Sequence, residues 1–141
     1  MSVVVDACVL VALVVADDRQ DAVARHIASW VESGEALHAP AILPYEIANV
    51  LARLVFDGTL AQDDVPDIWA DLSALDLELH AFELAEDGPA IAEITTSLRR
   101  RHATDSAYIR LAQQLGTHVW TLDTSLARNA AEQGFRVRLI A

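Results

Sequence analysis

Brief apolar runs alternate with longer helical patterns along the whole chain, and this alternation predicts an α/β fold. Residues 2–5, 37–39, 77–80, 118–121 and 136–139 read as strands. Helical patterns cover 7–15, 19–33, 41–57, 62–75, 89–101, 104–115 and 124–133. Gly34, Gly58, Gly116 and Gly134 each close a helical run, and Asp87-Gly88-Pro89 reads as a turn into the next helix, with proline in its first turn. Strands separated by helices favour a parallel sheet with helices on both faces. No internal repeat, low-complexity tract or linker interrupts the pattern, so 1–141 reads as one domain.

Composition narrows the class. Hydrophobic residues make up 53% of the 141, which excludes disorder. No apolar stretch reaches membrane-spanning length, and residues 9–16 lack the flanks of a signal peptide. With Cys8 the single cysteine, no internal disulfide is possible, and a cytoplasmic location is expected. The formal net charge of −11 disfavours a broad nucleic-acid-binding surface. Any phosphate-bearing partner must be met locally, by bound cations and by Arg99-Arg100-Arg101, the one basic cluster.

Candidate chemistry lies in four acidic residues far apart in the chain. Asp6 and Asp123 each fall just past a predicted strand, Glu46 lies inside the helix after one, and Asp105 lies in Ala103-Thr-Asp-Ser106 at the start of a predicted helix. In an open parallel sheet the carboxyl ends of the strands converge on one crevice. Each residue alone would read as a helix cap, a turn former or a solvated helix residue. Gathered together, four carboxylates repel one another unless a hard divalent cation sits among them, and Mg2+ or Mn2+ prefers such oxygen ligands. Asn49 shares a helix face with Glu46, while Thr121 and Ser125 flank Asp123, so these three are candidate supporting residues. The histidines show no metal-ligand spacing, Trp30 and Trp69 read as packing residues, and Trp120 reads as core.

The same residues carry a resemblance. Val3-Val-Val-Asp6, Pro40-Ala-Ile-Leu-Pro-Tyr-Glu46-Ile-Ala-Asn49, Asp105-Ser-Ala-Tyr108 and Thr121-Leu-Asp123-Thr-Ser125 resemble, in order, the four motifs of PIN-domain nucleases. Cys8 stands where that family more often has serine or threonine, and Ser106 where alanine is typical. The resemblance spans nearly the whole chain, and the chain's size resembles the VapC-type toxins. It implies a three-layer α/β/α domain with a five-stranded parallel sheet of order 3-2-1-4-5. It also implies a Mg2+- or Mn2+-dependent endoribonuclease in which Asp6, Glu46, Asp105 and Asp123 hold the metal, with Arg99, Arg100 and Arg101 available to RNA. A small antitoxin and a homodimer are the implied partners, and no membrane is involved. Surplus apolar residues on two helices, including Phe56 and Trp69, also point to an interface.

Two other readings share the acidic pocket. A phosphoryl-accepting signalling domain needs a lysine in the pocket, and the chain has none. A non-catalytic module of the same fold would not need all four carboxylates.

Overall fold

Three consecutive valines fill β1 (Ser2–Val5), and Val3, Val4 and Val5 are all buried. Neighbouring strand residues point to opposite faces, so full burial of both Val4 and Val5 means that helices cover the sheet on both sides. The computed structural model, which describes residues 1–141, places β1 at the sheet's centre. It pairs in parallel with β2 (Ala36–Pro40) and β4 (Val119–Thr121), while β3 (Glu78–His80) and β5 (Val137–Leu139) form the edges. The order is β3-β2-β1-β4-β5, as the resemblance implied. Register pairs Val4 with His38 on one side, and Val5 with Trp120 on the other.

Parallel neighbours need crossover connections, and helices supply them. α1 (Ala7–Val14) and α2 (Gln20–Glu32) join β1 to β2. α3 (Leu43–Phe56) and α4 (Val65–Ser73), the latter preceded by a 3-10 turn at Gln62–Asp64, join β2 to β3. α5 (Leu84–Ser97) and α6 (Thr104–Leu115) lead to β4, and α7 (Thr124–Glu132) leads to β5. α1 is apolar almost throughout and packs against α2, α3 and α4. α6 packs on β1, β2 and β4 and buries Tyr108, Ile109, Leu111 and Ala112. It ends at Gly116, whose φ of 66° is a left-handed cap that disfavours any side chain.

α5 departs from the sequence reading at both ends. It begins at Leu84, so Asp87-Gly88-Pro89 lies inside the helix rather than forming a turn. Asp87 Oδ2 accepts the Glu83 N–H at 2.7 Å, and this bond closes the first turn. Its Oδ1 accepts from Arg110 Nε at 3.0 Å and Gln114 Nε2 at 2.7 Å, fastening α5 to α6. At the other end, Arg99 takes a left-handed φ of 56°, and the N–H groups of Arg99 and Arg100 return to the carbonyls of Thr96 and Thr95 at 3.0 and 3.1 Å. That capping motif stops the helix at Ser97, short of the expected 101, with arginine where glycine is usual.

Trp120 also differs from expectation. It is half-buried rather than core. Trp120 packs in a three-ring cluster with His26 and Trp30, at ring-centroid distances of 5.2 and 5.4 Å, with the Arg138 guanidinium 5.7 Å from its ring. Trp30 itself is buried, and Trp69 packs against the core from its margin.

Candidate active site

Asp6 leaves β1 and opens α1, but its side chain makes no capping bond. It turns instead toward the neighbouring strand, where the Thr121 hydroxyl donates to its Oδ2 at 2.8 Å. The Cys8 thiol donates to the same oxygen at 3.3 Å. Thr121 Oγ1 accepts the N–H of Asp123 at 3.1 Å, and Cys8 Sγ accepts that of Leu122 at 3.4 Å. These bonds tie the end of β1 to the end of β4, where the strand order reverses. Burial pushes the Cys8 pKa up to about 12, helped by the nearby Asp6 carboxylate, so the sulfur stays a neutral thiol able to donate.

Asp123 caps α7 through Oδ1, which accepts the Leu126 N–H at 3.0 Å. Glu46 sits in the first turn of α3, and its Oε1 accepts the Tyr108 hydroxyl at 2.7 Å. Tyr108 is buried on α6, three residues after Asp105 and therefore on the same helix face. Asp105 lies in the first turn of α6, with Arg100 Nε, buried and without a hydrogen-bond partner, 3.9 Å from its Oδ2.

The four carboxylates line one open crevice of about 1000 Å³, together with Asn49, Arg19, Arg53, Phe56, His102 and Thr104 among others. Asp6, Glu46 and Asp105 all have raised pKa values, with burial the largest cause in each. The carboxylates also feel one another: Asp123 raises Asp6, and the charge on Asp6 raises both Glu46 and Asp105. Hydrogen bonds from Thr121 and Cys8 offset part of the rise at Asp6, and the Tyr108 bond does the same for Glu46. Burial and the Glu46 charge push the Tyr108 phenol upward as well.

An all-oxygen donor set under mutual repulsion fits a hard divalent cation such as Mg2+ or Mn2+. No three of these carboxylates bring oxygens within 4.8 Å of one another. That spread suits a cation that retains part of its water shell, as Mg2+ does.

Of the supporting candidates, Asn49 is an exposed lining residue of the crevice, whereas Thr121 is buried and serves Asp6. Ser125 lies outside the lining and accepts from Arg100 Nη2 at 3.4 Å. None of Arg99, Arg100 and Arg101 lines the crevice, and the basic residues that do are Arg19, Arg53 and His102. Arg19 is held by Asp17 at 3.0 Å. The signal in the sequence for the place of Tyr108 in the site is its spacing of three from Asp105. The histidines show no metal-ligand spacing along the chain, but parallel register brings His38 beside Glu78 and His80.

A family model described as PIN domain matches residues 3–132. The chain is 31% identical to Ribonuclease VapC3 of Pyrobaculum aerophilum over 134 residues, covering 90% of this chain and 93% of that one. A crystal structure of VapBC2 from Rickettsia felis, bound to a DNA fragment from their promoter, superposes with a TM-score of 0.71 at 12% identity over 100% of both chains. Another Pyrobaculum aerophilum crystal structure gives 0.67 at 17% identity, covering 92% of this chain and 79% of that one. At those identities the two structures speak for the fold alone. The match of the family model and the identity to the VapC relative go further, and on them this chain belongs to the PIN-domain family, in its VapC-type branch.

Proposed function

We propose that this protein is a Mg2+- or Mn2+-dependent endoribonuclease, the toxin of a type II toxin–antitoxin pair, and that it hydrolyses RNA in the crevice of Asp6, Glu46, Asp105 and Asp123. The observation that carries this reading is the convergence of four carboxylates, from four separate parts of the chain, on one open crevice. The raised pKa values of three of them and the relative named Ribonuclease VapC3 support it.

Asp6 and Asp123 would bind the cation directly, with Glu46 and Asp105 completing the set directly or through water. The bound cation supplies Lewis-acid polarisation of a phosphate oxygen and a lower pKa for water. Thr121 and Cys8 fix the orientation of Asp6, and Tyr108 fixes that of Glu46, so the carboxylates are held in place before substrate arrives. Arg53 and His102, with Arg19 paired to Asp17, would be the basic groups that RNA phosphates meet beside the carboxylates. In-line attack by water would leave a 5′-phosphate and a 3′-hydroxyl.

The antitoxin would cover α3, where Phe56 is 88% exposed and Tyr45 73% exposed, whereas the expected surplus on α4 is taken up by the core, which buries Ile68 and Leu72. An antitoxin arginine directed into the crevice would match its carboxylates. The same apolar surface supports a homodimer. No helix is long and apolar enough to cross a membrane, and an RNA substrate with an antitoxin partner suits action in the cytoplasm.

The test is cleavage of a structured RNA by purified protein, with Mg2+ or Mn2+ and with chelator. Cleavage should require metal, and Asp6→Asn or Asp123→Asn should slow it by at least about 100-fold, the scale on which metal sites respond to damage. Cleavage in chelator, or by Asp6→Asn at the wild-type rate, would overturn the assignment.

A further inference from the structure

We propose a second metal site on the β2–β3 edge of the sheet, where His38, Glu78 and His80 together bind one transition-metal ion of the zinc class. None of these residues lines the carboxylate crevice, and the inference does not rest on the nuclease reading.

Strand geometry builds the cluster. His38 on β2 is the register partner of Glu78 on β3, so their side chains leave the same face of the sheet. His80 lies two residues beyond Glu78 and returns to that face. One ligand atom from each residue falls within 4.8 Å of the other two. His38 Nδ1 is 2.8 Å from His80 Nε2 and 3.3 Å from Glu78 Oε2. In a tetrahedral zinc site with Zn–N bonds near 2.0–2.1 Å, donor atoms sit about 3.3 Å apart. Of the three separations, that of His38 and Glu78 is already of that size, that of His38 and His80 needs to open by a few tenths of an ångström, and that of His80 and Glu78 lies within 4.8 Å.

The protons favour a cation. With its hydrogen on Nδ1, His38 has two acceptors, His80 Nε2 and Glu78 Oε2, for one N–H. Without that hydrogen, all three atoms present lone pairs to one another. A divalent cation in its place engages all three at once. His38 is buried on β2, with its Nδ1 turned toward both other donors.

Donor chemistry sets the metal class. Two imidazole nitrogens and one carboxylate suit Zn2+, Co2+ or Ni2+ and not Mg2+, which prefers an all-oxygen set. Glu78 is 62% exposed, so ions can enter from solvent and a fourth position is open to water. Bound there, the ion would pin the three-residue edge strand β3 to β2.

The experiment uses full-length, untagged, metal-free protein titrated with Co2+ in excess Mg2+. Imidazole-bound four- or five-coordinate Co2+ absorbs strongly in the visible, whereas octahedral Co2+ among carboxylates absorbs weakly. Wild type and Asp6→Asn should give the same strong spectrum at one equivalent, displaced by Zn2+. His80→Ala and Glu78→Gln each remove a ligand near the surface and leave the buried His38 in place. Each should weaken binding at least about tenfold. A strong spectrum retained by both variants, or lost in Asp6→Asn, would overturn the proposal, as would a wild type that gives only the weak octahedral spectrum. Metal-free melting curves of the variants check that they fold. Should His80→Ala unfold, Glu78→Gln decides alone.

Discussion

At the scale of single residues, two positions show how the structure uses groups whose roles a sequence pattern leaves open. Asp6 was legible as an acid at a strand end, but its freedom from capping, and the donors Thr121 and Cys8 aimed at one of its oxygens, depend on β4 lying beside β1. Cys8 occupies a position where the family usually has a hydroxyl, and as a thiol it still donates. Tyr108 is the larger omission. Its hydroxyl is the partner of Glu46, so Tyr108→Phe should slow metal-dependent cleavage by about tenfold, with partial rescue at high Mg2+. Rates across a Mg2+ series check this, and a wild-type rate at limiting Mg2+ would remove Tyr108 from the site. Arg99 offers a stability test. A side chain in the left-handed region costs about 1–2 kcal/mol, offset in part by the greater freedom of glycine in the unfolded chain. Arg99→Gly should therefore stabilise by about 1 kcal/mol and raise the melting midpoint by roughly 2–4 °C. A lower midpoint would mean that the Arg99 side chain makes contacts worth more than the strain.

At the scale of elements, six of the seven helices and all five strands lie close to where apolar periodicity put them, and each of those six helices buries apolar residues in one common core. The exception, α5, shows the limit of local signals. Asp87-Gly88-Pro89 has the chemistry of a turn, and it is overridden by bonds from Asp87 to Glu83, Arg110 and Gln114, two of which come from another helix. No spacing within α5 reveals them. Their consequence is a pH dependence. The Glu83 N–H bond, followed by Arg110, holds the Asp87 pKa below the usual aspartate value. A carboxyl lowered in the folded state contributes stability that is fully present above its unfolded pKa and is lost as pH falls through the folded value. Asp87→Asn should lower the melting midpoint at neutral pH, and the gap from wild type should close on acidification below the normal aspartate range. Melting curves over an acidic pH series measure that gap. A gap that stayed constant across the series would show that the charge on Asp87 is not what secures α5 to α6.

At the scale of the whole molecule, the fold brings together what the chain keeps apart. The crevice residues Asp6, Glu46, Asp105 and Asp123 were identifiable as a set because parallel topology sends strand ends to one side. The trio of His38, Glu78 and His80 was not, because its proximity is set by register between β2 and β3. A chain of net charge −11 that also gathers one buried and three half-buried carboxylates should depend on cations for stability. Burial, followed by the neighbouring charges, raises the pKa values of Asp6, Glu46 and Asp105 in the folded protein without metal. For a carboxyl raised on folding, the sign is opposite to that of Asp87. Its penalty is absent below the unfolded pKa, where both states are protonated, and grows as pH rises through the folded value. In chelator at neutral pH, Asp6→Asn or Asp105→Asn should consequently raise the melting midpoint, since each removes a charge that the native state disfavours. Magnesium should reverse the ranking. It binds the native state and stabilises by mass action, and wild type keeps the full ligand set. A melting series of the three proteins, in chelator and in rising Mg2+, decides the matter. If both asparagine variants melt below wild type in chelator and gain as much from Mg2+ as wild type does, the acids hold the fold together and the crevice is not a metal site.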